Sequence, residues 1–183
     1  MKPRTKQRKL TLLVTVGSTK FDSLIERIFS ADVLELLRKF NFNQLVVQTG
    51  ASSYDIVKVQ ELQKSYDEIG IQVFAYKESL INDIDCADVV IGHAGAGTCL
   101  EVLRRNKRLL LVVNESLMDN HQSELADQLV EDKHVIRSSI CDLLENLEKI
   151  CRPESNLDKF PPSDTSKFEE IFNEALKNVT SRM

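Results

Sequence analysis

Apolar positions along this chain fall into two alternating patterns, short β-rich runs and stretches with helical spacing. Residues 10–16 are apolar and β-rich and stop at Gly17-Ser18-Thr19, which predicts a buried strand closed by a turn. Leu24, Ile25, Ile28 and Phe29, then Val33, Leu34, Leu36 and Leu37, keep helical spacing, with a break expected near Ser30-Ala31-Asp32. A second strand is predicted over 45–48, a helix over 54–69 ended by Gly70, and a third strand over 71–76. A short helix over 80–84 precedes a fourth strand at 89–91, whose helix is expected over 98–105. A strand at 109–113, a helix at 119–131, a short strand at 134–136 and a helix at 139–150 complete the series.

Strands alternating with helices imply βαβ units, hence an α/β, Rossmann-like, mostly parallel sheet with helices on both faces. Ligands in such sheets bind beyond the carboxyl ends of the strands. The loops 17–19, 50–53, 76–79, 92–98 and 114–121 should therefore gather along one edge. After Pro153 the pattern lapses through Pro161-Pro162 and several serines, so 153–166 reads as a linker. Phe168, Ile171, Phe172, Ala175, Leu176 and Val179 then resume helical spacing on one face. That stripe either docks on its own domain or receives a partner.

Composition narrows the class. The 183 residues suffice for one domain with a sizeable core, and the net charge of −4 argues against nucleic-acid binding by the molecule as a whole. No apolar run approaches the ~20 residues needed to span a bilayer, and the first residues lack the apolar core of a signal peptide. Cys86, Cys99, Cys141 and Cys151 have no CxxC spacing and read as free thiols of a cytosolic protein. Lys2, Arg4, Lys6, Arg8 and Lys9 form a basic tail, either simply solvated or drawn to an anionic membrane face.

The candidate chemistry lies in Gly92-His-Ala-Gly-Ala-Gly-Thr98, where a buried strand hands over to a helix. Such a turn leaves the first helical N–H groups unpaired and suited to a phosphate. Gly95 and Gly97 allow close backbone approach, Ala96 keeps the mouth small and Thr98 adds a hydroxyl. No GK[ST] follows, so this is not a P-loop. Gly17-Ser18-Thr19 stands where a dinucleotide fingerprint would have to be, which disfavours an NAD enzyme. A nucleotide diphosphate between the two small-residue loops is the natural ligand. Glu101, one turn further on, suits the two hydroxyls of a ribose, or is a solvated carboxylate favoured by the helix dipole. His93 either donates to a phosphate oxygen or packs within the turn. Asn120, His121 and Gln122 offer neutral donors and acceptors suited to sugar hydroxyls, with Asp119 or Asn120 available as a helix cap. Asp83-Ile84-Asp85 is assigned to a helix end rather than to a metal-nucleotide site. His121 and Glu124 lack a third ligand, so no metal site is expected. Asn178-Val-Thr180 carries no weight as a glycosylation acceptor in a cytosolic chain.

Gly92-His-Ala-Gly-Ala-Gly-Thr98, Glu101 and Asn114-Glu-Ser-Leu-Met-Asp-Asn-His-Gln122 resemble the cytosolic catalytic subunits of the eukaryotic UDP-GlcNAc transferase of asparagine-linked glycosylation. That family is related to the C-terminal half of the bacterial GlcNAc transferase that makes lipid-linked peptidoglycan precursor. The likeness runs over residues 10–128; family loops often carry Thr in place of Ala96 and Ser in place of Thr98. The resemblance implies the C-terminal half of a GT-B fold and transfer of GlcNAc from UDP-GlcNAc to GlcNAc-diphosphodolichol. It further implies a β1,4 linkage formed with inversion, and neither metal nor cofactor. By position, Gly95, Ala96, Gly97 and Thr98 would hold the diphosphate, flanked by Gly17, Ser18 and Thr19. Glu101 would hold the ribose, Gln122 with His121 the sugar, and Tyr76-Lys77 would lie where uracil meets backbone groups. The acceptor half, and with it the catalytic base, would come from a membrane-anchored partner subunit at the cytosolic face of the endoplasmic reticulum. The implied organisation is a tail at 1–9, a nucleotide-sugar-binding domain at 10–152, a linker at 153–166 and an amphipathic helix at 167–183. A nucleotide-binding regulatory module without chemistry is the alternative reading.

Overall fold

The computed structural model describes residues 9–114, 120–152, 155 and 157–161, with the side chains of 120–125 left out. The basic residues before Lys9, the 115–119 stretch, the C-terminal apolar stripe and Asn178 lie outside the described residues.

In chain order the elements are β1 (Leu10–Thr15), α1 (Asp22–Ile28), α2 (Ala31–Lys39), β2 (Phe42–Gln48), α3 (Ile56–Ser65), β3 (Gly70–Phe74) and α4 (Ile81–Cys86). They continue with β4 (Val89–His93), α5 (Ala96–Arg104), β5 (Arg108–Val112), α6 (Asn120–Glu131), β6 (Ile136–Ser138) and α7 (Leu143–Cys151). Among the described residues the strands form one six-stranded sheet in the order β3-β2-β1-β4-β5-β6. Every pairing in it is parallel. The chain therefore runs outward from β1 to β3, then crosses back to place β4 beside β1. The crevice opened by that reversal lies at the carboxyl ends of β1 and β4.

Period-two alternation sends successive side chains to opposite layers. Leu12, Val14, Leu45, Val47, Ile91 and Leu110 meet α1, α2 and α7, whereas Leu13, Val46, Val90, Leu109 and Leu111 meet α4, α5 and α6. The expected break in the first helical stretch falls at Phe29-Ser30, where Arg27 bonds both Ser30 and Asp32 and holds the two helices together.

Several expected boundaries move. The second strand begins at Phe42, because Asn43 and Gln44 sit at half-buried positions and hide the pattern. Helix α3 is shorter than the predicted 54–69. The Asp55 carboxylate accepts from the Val57 and Lys58 amides and starts it; Gln63 bonds Ile69 and Ile71 and turns the chain into β3, so Gly70 opens the strand rather than ending the helix. Helix α5 begins at Ala96, two residues before the expected start, and the last strand lies at 136–138 rather than 134–136, in register with Leu110–Val112. Asp83 and Asp85 sit in α4, ion-paired to Lys77 and Arg105, a structural role as assigned from sequence. Beyond α7, Asp158 N–H donates to the Lys133 carbonyl at 2.9 Å and Phe160 meets the His134 ring edge-on. This segment lies against the amino edge of the sheet, beside Arg108 at the start of β5. Among the described residues no helix is long and apolar enough to cross a membrane.

Candidate functional site

The polar residues of the core mark one edge of the sheet. Thr15 closes β1, Gln48 closes β2 with Thr49 after it, His93 closes β4 and Ser138 closes β6; all are buried. Buried polar groups need partners. Thr15 Oγ1 donates to Gln48 Oε1 at 2.5 Å across the β1–β2 pair and accepts the Gly17 amide at 3.2 Å. The carboxyl edge thus carries a fixed polar floor beneath the loops.

Those loops are stitched together. Gly17 turns with φ +61°, Thr19 N–H and Oγ1 both donate to the Val16 carbonyl, and Ala51 N–H donates to the Thr19 carbonyl. Phe21 N–H reaches Ser52 Oγ and Ser53 N–H reaches Asp22 Oδ1. The latter bond, with Lys20 assisting, holds the Asp22 carboxyl below its usual range. Gly50 has φ +55°, and a Cβ there would lie 2.6 Å from both the Gly17 and Thr19 carbonyl oxygens. From the β5 side, Asn114 Nδ2 donates to the Lys20 carbonyl at 3.2 Å. A loop tied on several sides costs little to order when a ligand arrives.

The second loop is built around His93. A Cβ on Gly17 would stand 2.8 Å from the imidazole Cε1, and one on Gly95 would stand 2.5 Å from Nε2. The ring therefore fills the gap between the β1 and β4 loops, and two glycines make room for it. Its Nδ1 is buried and makes no hydrogen bond with the described residues. Burial pushes the imidazole pKa down from its usual value, only partly opposed by the Thr15 backbone, so the ring is neutral at pH 7. A neutral imidazole offers one N–H and one acceptor.

Past His93 the Gly95 amide bonds the His93 carbonyl at 2.8 Å, and Cys99 N–H is the first to find an acceptor inside the helix, the Gly95 carbonyl at 3.0 Å. The amides of Ala96, Gly97 and Thr98 have no intrahelical acceptor. No protein atom lies within 4 Å of a Cβ built on Gly97, so that position faces open space. Cys99 anchors the turn from below; its thiol is buried and pushed up to about 11. Glu101 is half-buried and makes no hydrogen bond or ion pair with the described residues. Nearby polar groups leave it available for a ligand.

Of the residues expected to form the site, Gly17, Ser18, Thr19, His93, Gly95, Ala96, Gly97 and Thr98 come together at the β1–β4 crevice. Ser18 is exposed, and the Thr19 hydroxyl is already committed to its own turn. Tyr76 is 59% exposed on the loop after β3. Lys77 lies over the Phe74 ring and pairs with Asp83, so its side chain is tied away and its backbone is what the loop presents. Asn120, His121 and Gln122 open α6, which follows β5; their side chains lie outside the described residues. Among the described residues no three His, Cys, Asp or Glu side chains form a metal-sized cluster. Sequence reasoning missed Thr15, Gln48 and Gly50. The signal was there: each apolar run ends on a polar residue or a glycine.

Comparison with known proteins gives a consistent outcome. A family model, the glycosyltransferase family 28 C-terminal domain, matches residues 11–179. The mouse UDP-N-acetylglucosamine transferase subunit ALG13 is 44% identical over 122 residues, covering 67% of this chain and 10% of that protein. The Cryptococcus neoformans protein of the same name is 34% identical over 194 residues, covering 92% of this chain and 94% of that one. The chain thus matches about a tenth of the length of its mammalian relatives and nearly all of the fungal one. Among solved structures, an NMR structure of ALG13 superposes with a TM-score of 0.64 at 25% identity over 89% of this chain and 94% of that chain. Acinetobacter baumannii MurG superposes with a TM-score of 0.55 at 20% identity over 78% of this chain and 41% of that one, a likeness of fold.

Proposed function

The chain belongs to the glycosyltransferase family 28 C-terminal domain family, and from that premise we propose that it is the donor-binding subunit of a heteromeric UDP-GlcNAc transferase. The observation that carries the reading is the free amino terminus of α5, opening at the β1–β4 crevice opposite the Gly17 turn. In this reading the amides of Ala96, Gly97 and Thr98 bind the diphosphate, whose charge the helix dipole favours. Neutral His93 supports the loop and offers a donor from beneath, Glu101 receives the ribose hydroxyls, and the 76–77 backbone meets the uracil. Asn120, His121 and Gln122 are assigned to the GlcNAc. Transfer to GlcNAc-diphosphodolichol with inversion forms a β1,4 bond as the anomeric C1–O bond to the diphosphate breaks; UDP leaves with its charge on the α5 amides, and the acceptor hydroxyl proton goes to a base on the partner subunit. That partner, membrane-anchored, brings the chain to the cytosolic face of the endoplasmic reticulum.

Calorimetric titration with UDP, UDP-GlcNAc and NAD tests the donor site: uridine nucleotides should bind and NAD should not. Product formed by the purified chain alone from UDP-GlcNAc and lipid acceptor would overturn the partner requirement. Uridine binding without any transfer in the presence of the partner would favour a regulatory module instead.

A further inference from the structure

Gln48 ends β2 with 5% of its surface exposed, and only one end of its carboxamide has a partner. Its Oε1 receives the Thr15 hydroxyl at 2.5 Å. That distance suits an O–H···O bond and is too short for N–H···O, so the oxygen faces Thr15 and the nitrogen does not. Thr15 is itself held in place, since its Oγ1 accepts the Gly17 amide. β2 lies between β1 and β3, with Thr15 and Phe74 as the register partners of Gln48. An oxygen turned toward β1 turns the nitrogen toward β3.

On that side the backbone carbonyls at the end of β3 are taken. Phe74 O receives Thr49 N–H at 2.9 Å and Thr49 Oγ1 at 3.5 Å, and Ala75 O receives the Gly50 amide at 3.2 Å. Gln48 Nε2 makes no hydrogen bond with the described residues. It is not sealed as His93 Nδ1 is, so it keeps an opening. A buried donor left without an acceptor is costly, which makes this nitrogen a place for an acceptor brought from outside.

Strand parity gives the direction of the opening. Leu13 and Val46 point into the layer of α4, α5 and α6, and Thr15 and Gln48, two residues further along each strand, point the same way. This is the side on which α5 presents the amides of Ala96, Gly97 and Thr98. Adjacent strands lie about 4.8 Å apart, so the edge from β4 to β3 measures about 14 Å. A nucleotide whose phosphates rest on α5 and whose base meets the 76–77 backbone lies along that edge, and its base end passes over β2. A carboxamide nitrogen only donates. The acceptors that lie on a uracil ring are its two carbonyl oxygens.

We propose that Gln48 reads the base of the donor, its carboxamide N–H, aimed by the Thr15 hydroxyl, donating to a carbonyl oxygen of the uracil ring. The inference rests on the proposed transferase reading and adds to it a side-chain contact with the base.

The test is calorimetric titration of the full-length chain with UDP, 2-thio-UDP and 4-thio-UDP, in wild type and in Gln48→Met. Sulfur accepts hydrogen bonds poorly, so the analogue thiated at the oxygen that Gln48 reads has already given up the contact. Gln48→Met should lower the affinity for UDP and for one analogue about tenfold, and leave the other analogue nearly unchanged. Removing the carboxamide strands the Thr15 hydroxyl. Thr15→Val/Gln48→Met makes both partners apolar, a change that can be nearly neutral for stability, and should give the same pattern if the single variant does not fold. UDP affinity that survives loss of the carboxamide overturns the proposal. So does an equal loss for all three ligands, which would mean that Gln48 supports the loops without touching the base. Wild type binding both analogues as tightly as UDP overturns it without any variant. In each of these cases UDP still binds wild type, and only the role of Gln48 is lost. If wild type binds no uridine nucleotide, the transferase reading fails first and the base contact falls with it.

Discussion

Two glycines two residues apart separate the fold from the ligand site. A Cβ on Gly95 would lie 2.5 Å from His93 Nε2, nearly 1 Å inside ordinary contact. On its other side the ring faces Gly17, where a Cβ would stand 2.8 Å from Cε1. Gly95 has an unstrained backbone, φ −76° and ψ 118°, so the cost of Gly95→Ala is steric alone. Overpacking of this kind costs about 1–3 kcal/mol, or roughly 2–12 °C of melting temperature at this chain length. Gly97→Ala meets no protein atom within 4 Å and should leave the melting temperature unchanged or slightly raised. Its methyl group instead occupies the space assigned to the diphosphate, and UDP affinity should fall at least tenfold. Differential scanning fluorimetry and calorimetry read the two effects separately. In a double-mutant cycle His93→Ala should relieve Gly95→Ala, giving a coupling of about 0.5–3 kcal/mol. If Gly97→Ala binds UDP as wild type does, the diphosphate does not lie on these amides. If His93→Ala and Gly95→Ala are additive, the imidazole is not what Gly95 accommodates.

Glu101→Ala should weaken UDP binding by about 10- to 150-fold, the equivalent of a charge-assisted bond worth roughly 1.5–3 kcal/mol. Its melting temperature should not move, because Glu101 has no partner among the described residues; an unchanged dissociation constant would refute the ribose role. His93 has a folded-state pKa below its unfolded value, so the unfolded chain takes up the proton first as pH falls. Its stability contribution is present above about pH 6.5 and is lost as pH drops below that. The pH dependence of the melting temperature between pH 7.5 and 5 should therefore flatten in His93→Gln. Of the four thiols, exposed Cys86 and Cys141 should react with a disulfide reagent at pH 8 within the mixing time of a slow assay. Cys99 and Cys151, pushed by burial up to about 11 and about 12, should react only on unfolding.

The centre of the sheet could be read from the chain because burial on both faces makes its strands nearly continuous apolar runs, as in Leu109-Leu-Leu-Val112. Boundaries shifted where polar side chains took part in the fold: Asn43 and Gln44 concealed the start of β2, and Gln63 ended α3 early through bonds to residues that follow it. The glycine loop was equally legible, since Gly92, Gly95 and Gly97 stand at the end of an apolar run. Its two extra helical residues were not, because Ala96 and Gly97 carry no apolar periodicity to announce a helix. What the glycines do was legible only in part. One of them accommodates an imidazole, another faces space, and that difference depends on a neighbouring loop 76 positions earlier in the chain (Gly17 against His93). Pairing of Thr15 with Gln48 is likewise a cross-strand fact that no local window contains.

The stretch around Asp158 and Phe160, fastened to Lys133 and His134, brings the backbone to Pro161 at the rim away from the donor loops. The exit of the chain and the nucleotide crevice thus lie at opposite rims of the sheet.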